Sequence, residues 1–373
     1  MKEKLLNKIR MIDSELVENC GISLDHVFVK LDSTIQENSY YTDIGERYIT
    51  IYAQTEAFLF YGLLGLLQKV KTREILKIGL STSVINERGL HVDCGRKHYT
   101  KRWFMNMIEL MALNKMNSLQ IHVSENLGYR LESKHYPEIT SIEHLSNQDI
   151  SDILDYAKLF YVDVIPSFNV ISHLEYVLQF FPEYALPNSP KNLDITKPDA
   201  IDFSKKILDE IIEIFDGIKT IHIGADEYFE FLNEKDLSYI QGDNDPYELV
   251  INTINSFASN LLQRGFNVRV WNDGFYRMNY EGSAKLDSEI DIAYWTSWDK
   301  SMAPVSMFIE HGHKLINFND NYLYYVLGEK AGPSAKKIEN NFNPFLFSKG
   351  RGDIPQVVQD EDAKSVIGSY ISI

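Results

Sequence analysis

Hydrophobic positions along the chain gather into short, dense runs separated by longer stretches of mixed character. Eight runs stand out: Gly89–Asp93 (GLHVD), Ser118–Val123 (SLQIHV), Val162–Ser167 (VDVIPS), Thr220–Gly224 (TIHIG), Val268–Trp271 (VRVW), Asp291–Trp295 (DIAYW), Lys314–Phe318 (KLINF) and Gly368–Ile373 (GSYISI). Each is near-continuously apolar, the pattern of a parallel strand covered on both faces. The stretches between them carry helical period: Phe203, Ile207, Ile211 and Phe215 form one stripe, and Val250, Ile254, Phe257 and Leu261 another. Eight such strands alternating with helical segments predict an α/β fold, a closed (β/α)8 TIM barrel over residues 85–373. Residues 1–84 read differently. Tyr48–Ala53 alternates like a strand, Thr55–Val70 reads as an apolar helix and Lys77–Ile85 as a further strand. This predicts a small α+β domain ahead of the barrel. The last run ends the chain, so no eighth helix is expected in this sequence: either another chain completes the barrel or the barrel is truncated here. An apolar face is then expected beside the eighth strand unless another chain covers it, for instance in a homodimer.

Composition narrows the class. The chain has 373 residues, 44% hydrophobic and 24% charged, as in globular proteins. The formal net charge is −16 with no dense Lys/Arg block, which argues against nucleic acid or an anionic membrane surface as partner. Two cysteines, Cys20 and Cys94, make neither a disulfide framework nor a metal-ligand pattern. The N-terminus lacks the continuous apolar core of a signal peptide, and no apolar run reaches the roughly 18 residues of a membrane span. A cytoplasmic location is the expectation from these features. Gly-rich phosphate loops are absent and no cofactor is implied.

In such a barrel the reactive groups sit at the C-terminal ends of the strands. Here strand four ends in HIGADE, delivering Asp226 and Glu227 side by side. Strand two brings His122 and Glu125, strand three leads to Asn169 and His173, strands five and six end in Trp271 and Trp295, and strand seven leads into Asn319, Asp320 and Tyr322. Converging carboxylates with His, Trp and Tyr fit glycoside chemistry, in which an acid protonates a leaving oxygen and negative charge faces a developing cation. Two carboxylates a few ångströms apart disfavour double ionisation, so one tends to keep a proton. Neighbours on one chain are poorly placed to flank a bond from opposite sides, so another group must be the nucleophile. His122 and His222 lie on strands and read equally well as core histidines or as site residues. Trp271 and Trp295 likewise suit a core. The spacing of His122 and His222 to Glu125 is unlike HExxH, and no metal is expected.

Three segments together carry a resemblance: RGLHVDCGR at Arg88–Arg96, LNKMNSLQIHVSENLGYRL at Leu113–Leu131 followed by Tyr136-Pro137, and TIHIGADE at Thr220–Glu227. They resemble glycoside hydrolase family 20, the β-N-acetylhexosaminidases, over nearly the whole chain. The resemblance implies a retaining exo-enzyme acting on terminal β-linked GlcNAc or GalNAc, in which the substrate's acetamido oxygen attacks and an oxazolinium ion forms. It implies Glu227 as general acid/base, Asp226 as the carboxylate orienting the acetamido N–H, and Tyr322 as the hydroxyl on the acetamido oxygen. Tyr324 and Tyr325 are alternatives in register. His173 with Glu125 resembles the pair supporting the acid/base, and Arg88 the arginine gripping sugar hydroxyls. Trp271 and Trp295 match the aromatic box. His122, His222 and Asp273 complete the expected substrate-binding set. Departures mark a divergent branch. The pattern Pro-Glu-x-Asp-x-Pro-Gly-His keeps only Pro166 and His173, Asp-Asp-x-Gly-Trp-Arg reads Glu125 to Arg130, and Leu323 is followed by Tyr324 instead of Asp. These changes motivate an alternative, a sugar-binding or sensor protein that has kept the pocket without turnover.

Overall fold

The computed structural model describes residues 1–373 apart from 231, 242–244, 279, 281, 326–334 and 349–354. The chain divides into two compact units. One comprises Met1–Asn86, Met105–Asn117 and Asp155–Val162; the other comprises Glu87–Phe104, Ser118–Leu154 and Asp163–Ile373.

The first unit is built on a four-stranded sheet. Ile49–Ala53 pairs in parallel with Val27–Leu31 and antiparallel with Ser39–Ile44, which pairs antiparallel with Gly79–Thr82. The helix Glu56–Lys71 packs on this sheet. It starts where Thr55 accepts the Phe58 N–H, and every residue from Leu59 to Leu67 is buried. Gly62 belongs to a close approach: a Cβ there would lie 2.7 Å from Ile51 Cγ2. The helix Lys2–Ile12 and the first strand precede the elements that the apolar pattern picked out.

The second unit is the barrel. Its eight parallel strands are Glu87–Asp93, Ser118–His122, Asp163–Ser167, Thr220–His222, Asn267–Trp271, Ile290–Tyr294, Leu315–Asn317 and Val366–Ser372. The eighth closes on the first, with Tyr370 opposite Gly89 and Ser372 opposite His91. All eight fall on the runs read from the sequence. Helices Lys101–Leu113, Asn147–Leu159, Pro198–Ile214, Pro246–Gln263, Val305–Glu310 and Ala335–Asn341 occupy the connections. The strict alternation fails once: among the described residues no helix joins strands five and six, and those between Asn272 and Glu289 run as turns and loops.

The barrel interior is layered. Ile165, Trp271, Ala293, Ile316, Phe318 and Tyr370 form an apolar middle. Below it, near the strand starts, lies a polar plug. Buried Arg269 donates from Nη2 to Glu87 Oε1 at 2.6 Å and from Nη1 to Tyr370 Oη at 3.1 Å, while Tyr370 donates to Glu87 Oε2 at 2.7 Å. Burial pushes Asp291, 3.9 Å from Arg269 Nε, up to about 6. Among the described residues no helix is long and apolar enough to cross a membrane.

Candidate active site

A cavity of about 430 Å³ opens at the C-terminal ends of the barrel strands. Strand four enters it through Gly224-Ala225-Asp226-Glu227. Regular alternation would send Asp226 and Glu227 to opposite faces. The chain instead turns, with φ of +70° at Gly224, +73° at Ala225 and +50° at Glu227, and both carboxylates reach the same cavity. Gly224 is required here, because a Cβ would collide with the Asn169 side chain.

His173, itself at φ +52°, stands between carboxylates. Its Nδ1 lies 3.1 Å from Glu125 Oε1; its Nε2 lies 3.1 Å from Glu227 Oε2 and 3.4 Å from Asp226 Oδ2. Burial works against a charged imidazole, but the Asp226 charge and the contacts to Glu125 and Glu227 outweigh it. The ring is held as imidazolium, well above its ordinary value. Glu125 is the mirror case. Burial alone would raise it, yet the approach of His122, the hydrogen bond from His173, and the charges of His173 and Arg96 hold it far below the usual carboxylate range. Arg96 bridges Asp93 at 2.6 Å and Glu125 at 3.0 Å. Burial raises Asp226, helped by the Glu227 charge and opposed by His173.

Facing these charges is an aromatic wall. Trp271 lies against Phe318 at 4.8 Å between ring centroids and against Trp295 at 6.4 Å; Tyr324 stacks on Trp295 at 5.9 Å. Burial, with the charges of Asp226, Asp320 and Asp273, keeps Tyr324 a protonated phenol. His91 is pushed down to about 3 by burial and the neighbouring His122, so it is neutral; its Nδ1 meets Ser372 Oγ at 2.6 Å.

The structure brings Glu227, Asp226, His173, Glu125, His122, Trp271 and Trp295 together in one cavity. Four expectations are corrected. Tyr322 is buried outside the cavity, because the chain turns at Asn319, whose carbonyl accepts the N–H groups of Tyr322 and Leu323. Tyr324, bridged to Ser372, takes the lining position instead. Arg88 does not line the cavity: it alternates with His91 and Asp93, which do. His222 is wholly buried behind Trp271, 4.5 Å away, with Nδ1 accepting the Gly224 N–H; burial keeps it neutral. Asp273 lies behind the wall and not on it. The residues missed are His91, Asp93, Arg96 and Ser372. Strand periodicity counted back from Asp93 would have found His91.

Comparison with known proteins bears on the family and the fold. Residues 86–369 match glycosyl hydrolase family 20, catalytic domain. A lacto-N-biosidase from Bifidobacterium bifidum is 25% identical over 355 residues, 89% of this chain and 30% of that protein. β-Hexosaminidase B from Pseudoalteromonas piscicida is 23% identical, over 80% of this chain and 47% of that one. The chain thus spans less than half the length of either relative. The solved β-N-acetylhexosaminidase of Bacteroides fragilis shares the fold with a TM-score of 0.73 at 21% identity, covering 98% of this chain and 78% of its own. The exo-β-N-acetylglucosaminidase of Vibrio harveyi has the same TM-score at 17% identity, covering 100% and 64%. The family match extends over well more than half of the residues, from the first barrel strand into the eighth, and the chain belongs to glycosyl hydrolase family 20.

Proposed function

We propose that this barrel hydrolyses terminal β-linked N-acetylglucosaminides or N-acetylgalactosaminides with retention, using the substrate's own acetamido group as nucleophile. The observation that carries the reading is the adjacency of Asp226 and Glu227 in one cavity opposite the aromatic wall. Carboxylates on neighbouring residues cannot stand on opposite faces of a sugar as acid and nucleophile, so the attacking oxygen comes from the substrate.

In the first step the acetamido carbonyl oxygen bonds to the anomeric carbon. The glycosidic C–O bond breaks, and Glu227 delivers its proton to the departing oxygen. Asp226 accepts the acetamido N–H as positive charge builds on the oxazolinium ring. Its Oδ1 is buried and, among the described residues, accepts no hydrogen bond, which supports that part. Tyr324 donates its hydroxyl hydrogen bond toward the acetamido oxygen, and Trp271 and Trp295 exclude water around the methyl group. In the second step water attacks the anomeric carbon, gives its proton to the Glu227 carboxylate, and the ring opens with net retention.

The chain is expected to hydrolyse 4-nitrophenyl β-N-acetylglucosaminide or its galacto epimer, with the β-anomer of the free sugar appearing first by proton NMR. Glu227→Gln should lower kcat about 10²–10⁴-fold while keeping affinity for a thiazoline analogue of the intermediate. Because a lacto-N-biosidase is among the relatives, the aryl glycoside of a disaccharide ending in the acetamido sugar belongs in the same panel. An inverted product, or equal turnover of a glucoside lacking the acetamido group, would sink the reading. Binding of the thiazoline with no turnover of any glycoside would favour a sugar sensor.

A further inference from the structure

The turn after strand five, Trp271-Asn272-Asp273-Gly274, sits between the tip of strand four and the tip of strand six. Trp271 N–H donates to Gly224 O at 2.9 Å. A Cβ on Gly274 would collide with the Ala225 carbonyl oxygen, so the two segments touch backbone to backbone. On the other side Asn272 Oδ1 accepts the Trp295 N–H at 2.9 Å, and Asn272 Nδ2 donates to Thr296 O at 2.8 Å. Asp273, 3% exposed, joins both sides. One carboxylate oxygen accepts the Glu227 N–H at 2.7 Å; the other accepts the indole N–H of Trp295 at 2.7 Å.

We infer that Asp273 is a positioning residue that holds the proton donor Glu227 and the sugar-facing wall of Trp295 in one register. It touches no substrate. It acts by fixing the left-handed backbone that aims the Glu227 carboxyl and, with the same carboxylate, the plane of the Trp295 indole. Each N–H needs an acceptor, and only a carboxylate offers one to both. Asparagine in its place would turn an amide N–H₂ toward one of the two donors. The inference rests on the proposed role of Glu227 and says which residue makes that role possible.

The test compares Asp273→Asn, Asp273→Glu and Trp295→Phe in the full chain with two leaving groups, 4-nitrophenolate and a second sugar. Nitrophenolate departs without a proton, whereas a sugar oxygen needs one. Asp273→Asn is expected to lower kcat/KM, which reports the leaving-group step alone, about 10²-fold on the disaccharide and far less on the aryl glycoside. It should also weaken binding of the thiazoline analogue and shift tryptophan emission. Trp295→Phe should weaken the thiazoline alone, leaving the leaving-group ratio at its wild-type value. Asp273→Glu, which keeps two acceptors, should recover part of the ratio, and serves the comparison if the Asn variant does not fold. Equal losses on both leaving groups, or losses that only follow the fall in melting temperature, overturn the inference. Wild-type chain inactive on both substrates would remove the proposed function instead. Unchanged thiazoline affinity and emission in Asp273→Asn would then overturn the Asp273 inference as well.

Discussion

His173 is the side chain on which the charged half of the cavity is assembled, and its neighbours determine when it works. Held above its ordinary value of 6.5, the imidazolium contributes stability that is fully present below about pH 6.5 and is lost as pH rises through its folded value. Glu125, held below its ordinary 4.5, contributes stability present above about pH 4.5 and lost only as pH falls toward its lower folded value. The clamp is therefore intact in mildly acidic and neutral solution and fails first on the alkaline side. His173→Asn leaves Glu125 buried without its imidazolium. It should cost about 3–5 kcal/mol near pH 6, with the gap to wild type narrowing as pH rises. Denaturant unfolding of both proteins across about pH 5–10 checks this, and a gap independent of pH would contradict the clamp. At this scale the sequence was readable where a side chain sits on or just beyond a regular strand, as with Asp226, Glu227, His122 and Trp271. It failed at Tyr322, because the turn at Asn319 resets the count and three tyrosines within four residues carry no mark of which one faces inward. It failed at Arg88 for the opposite reason: a resemblance in motif was set above the two-residue period of the strand, which turns His91 and Asp93 inward.

The barrel's strands illustrate what apolar patterning can and cannot carry. A strand covered on both faces must be apolar along its length, so all eight were visible as runs. The helix-free connection between strands five and six was not, since its position between two strong runs invited a helix that the described residues do not form. The plug beneath the middle layer was equally invisible. Arg269 and Glu87 lie 182 positions apart, and only barrel closure brings them to 2.6 Å. A guanidinium buried at that depth is tolerated because Tyr370 and Glu87 take its Nη1 and Nη2 groups and the Asp291 carboxylate lies 3.9 Å from Nε. Arg269→Met removes the charge but strands Glu87 and Asp291. It is expected to destabilise the barrel by about 3–5 kcal/mol while leaving thiazoline affinity of the folded protein unchanged, since Trp271 stands between this plug and the cavity. Chemical denaturation with a parallel binding titration separates the two effects. A loss of affinity equal to the loss of stability would show that plug and cavity are not independent layers.

Charge is the property that reaches across the whole molecule. A formal net charge of −16 sets a repulsive field for anions at long range. The cavity reinforces it, since Asp93, Glu125, Asp226 and Glu227 outnumber Arg96 and His173. The two cations are also committed, Arg96 to Asp93 and Glu125, His173 to Glu125, Asp226 and Glu227. Little positive potential is left to greet an acidic glycan, so an uncharged substrate is expected to be preferred. The aryl glycoside of 6-sulfated N-acetylglucosamine should show a lower kcat/KM than its neutral parent at low salt. If the penalty is the long-range field, it must shrink with ionic strength, because the Debye length falls from about 10 Å at 0.1 M to about 3 Å at 1 M. A local clash between the sulfate and a cavity carboxylate is screened much less and would leave the ratio flat. Rate ratios for the two glycosides along a salt series therefore distinguish a molecule that repels acidic sugars at a distance from a cavity that refuses them on contact. A sulfated sugar turned over faster than the neutral one would mean that Arg96 is freed from Asp93 and Glu125 when substrate binds.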